Sequence, residues 1–198
     1  MTRQDAPIFR RLQNEDHITA FNCGERYKEL NDFIRDDAKH YADAMLAVTY
    51  IVEDTGKTAA YFTMANDRIG IEDFGSNNQF NRFRRRSYEN SKRIKHYPAV
   101  KLCRFAVDLN FNNHGLGTRL LNLVKYLFFE DNKSGCRYIT VDAYSEAVDF
   151  YEKNGFKRLY EVDTSPSPTP TTDSDTKDLS DKEKTVLMYY DLIALKTN

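Results

Sequence analysis

The sequence predicts an α+β fold, and three patterns carry that expectation. Residues 47–52 and 59–64 are rich in β-branched and aromatic side chains and flank the turn-prone stretch 53–57, which reads as a β-hairpin. Residues 100–107, 117–131 and 138–143 read as strand, amphipathic helix and strand, a β-α-β unit. Residues 157–162 and 185–192 read as two further strands around a long polar connection.

The other elements follow in order. Residues 7–12 can form a first strand, and Tyr27, Leu30, Ile34, Ala38 and Tyr41 recur at spacings of three and four, the core face of a helix. Between 66 and 97 the periodicity loosens, Gly70, Gly75, Asn77 and Asn78 mark loops, and Arg82, Arg84, Arg85, Arg86, Lys92, Arg93 and Lys95 form a basic cluster interleaved with Phe80, Phe83 and Tyr88. In the 117–131 helix Leu120, Leu121, Val124, Leu127 and Phe128 share one face. Ser145 suits the N-cap of a helix over 147–154, and Gly155 suits its end. Residues 163–184 are acidic and rich in Ser, Thr and Pro, a composition that buries too little apolar surface to order itself, so a flexible hairpin loop is expected there. One domain spanning 1–198 is the expectation from length.

With 30% charged residues and a formal net charge of -1, the chain lacks the global basic field of a non-specific nucleic-acid binder. Cys23, Cys103 and Cys136 are far apart and form no CxxC pair, which argues against a disulfide framework or a zinc site and for reduced thiols. The polar N-terminus and the lack of an apolar run of about 18 residues predict a soluble, cytoplasmic protein.

Chemistry concentrates in two places. The apolar strand ending at Val107 passes through Asp108, Asn112, Asn113 and His114 to Gly115 and Gly117, which open an amphipathic helix. Unpaired backbone N–H groups and a positive helix end then converge on one spot suited to a pyrophosphate, although a lone Gly-x-Gly also serves as a tight connection without a ligand. Some 30 residues later, Tyr151 sits near the end of a second helix that the crossover brings toward the same strand end. A phenol of pKa about 10 can donate a proton to a thiolate whose parent acid is near 8.5, but an aromatic beside Phe150 and Phe156 can also be plain core. Asp108, Asp142 and Glu146 lie near the expected cleft, but acids at strand ends and first helical turns are more often caps or surface groups, so no general base is assigned.

Together these motifs resemble the GNAT superfamily of N-acetyltransferases, in which Arg/Gln-x-x-Gly-x-Gly/Ala follows a strand and Asn-x-x-Ala-x-x-x-Tyr-x-x-x-Gly-Phe forms a later helix. Gly115 and Gly117 match the first motif, and Ala147, Tyr151, Gly155 and Phe156 the second; Asn112 and Tyr144 stand where the family usually has Arg or Gln and Asn. The resemblance implies a GNAT-type mixed, mostly antiparallel sheet flanked by helices, with acetyl-CoA as acetyl donor. It implies coenzyme contacts from Ala106, Val107, Asn112, Asn113, Gly115, Leu116, Gly117, Thr118 and Tyr144, Tyr151 as the catalytic acid, and no metal.

The strings 21–24, 30–33, 49–52, 61–64 and 97–108 are similar to the branch of toxin-like acetyltransferases found in toxin and antitoxin pairs. That likeness implies the α-amine of an aminoacyl-tRNA as acceptor, an antitoxin protein as partner and a homodimer; the lack of a long apolar run separately predicts no membrane association. The basic cluster could face the RNA, or be an ordinary solvated surface. The competing expectation is a module that binds acyl-CoA or a protein without turnover.

Overall fold

The computed structural model describes residues 7–87, 94–112, 114–130, 132, 134–159 and 185–196. Among these, seven strands, β1 (Ile8–Arg11), β2 (Val48–Asp54), β3 (Lys57–Gly70), β4 (His96–Val107), β5 (Tyr138–Tyr144), β6 (Lys157–Arg158) and β7 (Thr185–Asp191), form one sheet in the order β1-β2-β3-β4-β5-β7-β6. β4 and β5 run parallel and the other neighbours antiparallel, as expected of the mixed sheet. The helices are α1 (Lys28–Asp32), α2 (Ala38–Asp43), α3 (Asn77–Ser87), α4 (Leu116–Glu130) and α5 (Val148–Lys153), with a π-helical turn over Phe33–Asp37 joining α1 to α2.

Period-two alternation along β3 explains the layers. Ala60, Phe62 and Met64 point to one face, where Leu120, Leu121 and Val124 of α4 and Val148 and Tyr151 of α5 cover them. Tyr61 and Ile69 point to the other. At one end of that second face Leu30, Phe33, Ile34 and Ala38 pack on Tyr61, Ile51 and Ala106, and the Tyr61 hydroxyl donates to the Leu30 carbonyl at 2.8 Å. At its other end Phe80 and Phe83 of α3 pack on Ile69, Tyr97, Ala99 and Tyr138. Each such buried side chain contributes on the order of 2 kcal/mol of transfer free energy.

One irregularity positions the site. Thr63 lies opposite Arg104 while Met64 lies opposite Leu102, so Cys103 is an extra residue that bends β4. The parallel pairing of β4 with β5 covers only Ala99↔Tyr138, Val100↔Ile139 and Lys101↔Thr140, although β4 continues to Val107 and β5 to Tyr144. Beyond Lys101 the two strands part, and their facing edges have no ladder bonds to each other.

Several local expectations change. The loosened segment 66–97 is strand to Gly70 and then α3, because burial of Ile69, Phe80 and Phe83 outweighs the turn propensity of Asn77 and Asn78. Ser145 does not cap α5: it opens a 3-10 turn over Ser145–Ala147 whose N-cap is Tyr144, and α5 starts at Val148. The strand expected over 157–162 is Lys157–Arg158 within the described residues. The 163–184 loop, Tyr88, Lys92 and Arg93 lie outside them.

Candidate active site

The parting of β4 and β5 opens a cavity of about 900 Å³ that runs through the sheet. Leu102 to Val107 line one wall and Val141 to Tyr144 the other. Gly115, Leu116, Gly117 and Thr118 close one end, where α4 begins. Gly115 adopts φ 70°, a left-handed conformation that costs a side-chain-bearing residue about 1 kcal/mol and lets the chain turn into the helix. The first N–H groups of α4 lack intrahelical partners by construction, and no acidic residue occupies its first turn. An anion is therefore met by free donors and a positive dipole end without a competing carboxylate.

Tyr151 enters this cavity from α5. Its ring is held by Phe150 and Phe156, each with centroids 5.3 Å away and edge-on. The helix ends in a Schellman motif: Phe156 N–H donates to the Tyr151 carbonyl at 3.0 Å, Gly155 N–H to that of Glu152 at 2.9 Å, and Gly155 has φ 82°. A β-carbon at Gly155 would also lie 3.1 Å from the Tyr190 ring, so this position favours glycine twice over. Tyr151 is only 6% exposed and burial pushes its phenol up, so it is protonated at neutral pH. Its hydroxyl makes no hydrogen bond to the described residues, which leaves its proton available to a group in the cavity.

The face of the sheet that carries α1 supplies the opposite mouth. Glu29 and Tyr27 line it, and Arg104 reaches from β4 to pair with Glu29 at 2.5 Å while its guanidinium carbon lies 5.0 Å from the Phe33 ring centroid. Lys101 and Asp142 pair at 2.5 Å where the strands separate. Burial pushes the Cys23 thiol up to about 11 and raises that of Cys103, so both cysteines of the cavity are protonated rather than nucleophilic.

Of the residues singled out from sequence, Ala106, Val107, Asn112, Gly115, Leu116, Gly117, Thr118, Tyr144 and Tyr151 all line this one cavity, and Asn113 lies outside the described residues. Asp108 does not join them: it is 3% exposed and accepts from the backbone N–H groups of Asn22 and Asn110 at 2.8 and 2.9 Å, a structural tie. Glu146 accepts from the Tyr27 hydroxyl at 2.9 Å and pairs with Arg26 at 2.9 Å. Sequence reasoning missed Tyr27, Glu29, Lys101 and Arg104, whose convergence depends on contacts between distant segments. Among the described residues no group of His, Cys, Asp or Glu is arranged to hold a metal ion, and no helix is long and apolar enough to cross a membrane.

No curated protein matches the sequence. Solved structures match its fold: a tyrosine-to-phenylalanine mutant of KacT at TM-score 0.71 and 20% identity, covering 98% of this chain and 99% of that chain. AtaT complexed with acetyl-methionyl-tRNAfMet matches at TM-score 0.68 and 16% identity, covering 97% and 98%. A mutant AtaT toxin bound to the C-terminus of the antitoxin AtaR matches at TM-score 0.66 and 17% identity, covering 97% and 96%. A family model for the acetyltransferase (GNAT) domain matches residues 47–158, more than half of the chain. The parted strands, the glycine-opened helix and the buried tyrosine are thus set in a matching family framework, and the chain belongs to the GNAT acetyltransferases.

Proposed function

We propose that this acetyltransferase moves the acetyl group of acetyl-CoA to a primary amine, and that the acceptor is the α-amine of an aminoacyl-tRNA. The observation that carries the reading is a single cavity holding both the open N-terminus of α4 and the Tyr151 hydroxyl. Its features suit the coenzyme: free helix N–H groups for a pyrophosphate, and an unpaired β4 edge from Leu102 to Val107 along which an amide-bearing arm can add as a strand does. When bound, acetyl-CoA supplies a thioester carbonyl open to attack by an amine.

The chain's own residues then have separable tasks. Gly115 to Thr118 hold the diphosphate through backbone donors, Ala106 and Val107 align the arm, and Tyr144 flanks it from β5. Asn112 stands at the loop without the long side chain usual in the family, so backbone groups carry most of the binding there. Tyr151 gives its proton to the departing thiolate. An α-amine of pKa about 8 loses its own proton more readily than a lysine near 10.4, which suits a cavity whose carboxylates among the described residues, Glu29 and Asp142, are each paired with a cation.

AtaT has been solved with acetyl-methionyl-tRNAfMet and, separately, with part of its antitoxin. The same fold here, with exposed Arg85 and Arg86 on α3, supports an RNA-borne amine as acceptor. An antitoxin protein and a second copy of the chain are the partners this reading adds. Incubation with labelled acetyl-CoA and a pool of charged tRNA tests it. Acetylated aminoacyl-tRNA is the expected product; coenzyme consumption only with small or protein amines would overturn the RNA acceptor, and saturable CoA binding without any thiol release would overturn turnover itself.

A further inference from the structure

Lys125 is 5% exposed on the packed side of α4, about two turns beyond Gly117. It forms no ion pair with a carboxylate among the described residues; its ammonium donates to the carbonyl of Asn154 at 2.7 Å and to Asn122 Oδ1 at 3.0 Å, and lies 4.6 Å from the centroid of the Tyr190 ring. Burying a cation without a counter-charge costs several kcal/mol, and a methionine of similar length would fill the space without that penalty. The cation is therefore placed for what it bonds to.

Asn154 is the C-cap of α5, a helix of only six residues that cannot hold its own shape and that carries Tyr151 in its last turn. The Asn154 carbonyl is one of the helix-end acceptors that need an outside donor. Lys125 supplies it, and at the same time lies beside Tyr190, whose ring packs at a tilt against Phe156 with centroids 5.5 Å apart, the ring that in turn abuts Tyr151.

We propose that Lys125 is a positioning residue for Tyr151: it clamps the C-terminal end of α5 to α4 and so fixes the phenol relative to the helix whose first turn holds the coenzyme. The inference rests on Tyr151 acting as proton donor. Loss of the clamp leaves the pyrophosphate site at the far end of α4 intact and lets the hydroxyl drift, which lowers turnover rather than coenzyme affinity.

Lys125→Met tests it in the full chain. Expected are an unchanged Kd for CoA by calorimetry, a Tm close to wild type because removing an unpaired buried charge offsets the lost bond to the Asn154 carbonyl, and a kcat with charged tRNA lower by about tenfold. In a Tyr151→Phe background the same change costs no further rate, since residues acting through one group are not additive. The NMR resonance of Tyr151, in protein carrying 13C-labelled tyrosine and assigned by its disappearance in Tyr151→Phe, moves or broadens in Lys125→Met; this readout needs no acceptor and decides the matter if charged tRNA gives no product. If the methionine variant does not fold, Lys125→Gln carries the same measurements. An unmoved Tyr151 resonance, wild-type kcat, or an equal rate loss in both backgrounds overturns the positioning role. Wild-type turnover in Tyr151→Phe alone overturns instead the proton-donor reading beneath it.

Discussion

A β-carbon at Gly117 would stand 3.4 Å from the ring of Phe150, so α4, which begins at the glycine loop, and the helix that carries Tyr151 meet at a glycine. The contact is ordinary van der Waals packing, and the backbone at Gly117 is not left-handed. A longer side chain must turn past Phe150 into the cavity. Gly117→Glu places a carboxylate in the first turn of α4, where it favours the helix dipole but opposes a pyrophosphate. The folded protein is expected to keep its Tm and to lose CoA affinity by about a hundredfold, on the scale of a like-charge contact in a binding site. Calorimetry that finds unchanged affinity in the folded variant would remove the pyrophosphate site from α4.

Tyr151→Phe keeps the edge-on contacts with Phe150 and Phe156 and deletes only the hydroxyl. Turnover is expected to fall by about ten to a thousandfold with CoA affinity unchanged, the range for a lost general acid. The hydroxyl makes no hydrogen bond to the described residues, so stability should hold. A variant with wild-type kcat where acetyl transfer is rate-limiting would reduce Tyr151 to a packing residue.

What local periodicity encodes was legible: the β2–β3 hairpin, the face of α4, and the glycine that ends α5 all follow from residue spacing. The parting of β4 and β5 was not, because it depends on the register of Thr63 against Arg104 and on the extra residue Cys103, a relation between segments some 40 positions apart. α3 was hidden by the turn signals around it, and its existence depends on a pocket for Phe80 and Phe83 that distant strands build. Glu29 meets Arg104 across an even longer separation. Lys125 did carry a sign of burial, standing four residues after Leu121 and three before Phe128 on the apolar stripe, but a lysine at such a position ordinarily snorkels outward.

Acid should weaken the N-terminal edge of the sheet. Both terminal guanidinium nitrogens of Arg10 bond Asp16, at 2.6 and 2.8 Å, and Gln13 N–H adds a third bond at 2.7 Å; these hold the Asp16 carboxyl below the usual carboxylate range, the Arg10 bond first. A carboxyl whose folded pKa lies below its unfolded value of about 3.9 binds fewer protons when folded. Its contribution is complete above that value and disappears as pH falls through the lower folded one. The Tm of the wild type should therefore fall more steeply below about pH 4 than that of Asp16→Asn, which is less stable at neutral pH. Parallel acid limbs for the two proteins, in thermal melts from neutral pH to pH 2, would contradict this assignment.

Arg84, Arg85 and Arg86 end α3, which covers the same face of the sheet as α1 with Tyr27 and Glu29, so a polyanion crossing α3 can bring an attached amine to the mouth of the cavity on that face. Phe80 and Phe83 anchor the helix from its other side, and replacing the three arginines with serine leaves that anchor in place. Each cation that neutralises a phosphate adds close to one unit to the slope of log affinity against log salt. The triple variant is expected to bind charged tRNA more weakly, with a slope shallower by about 2, and to keep its CoA affinity because the start of α4, proposed to hold the pyrophosphate, lies across the sheet from α3. The uniform loss expected across tRNAs distinguishes backbone contact from recognition of one amino acid. Titrations of tRNA over a range of salt decide the matter: identical slopes for wild type and variant would make α3 a solvated face and favour an acceptor without phosphates.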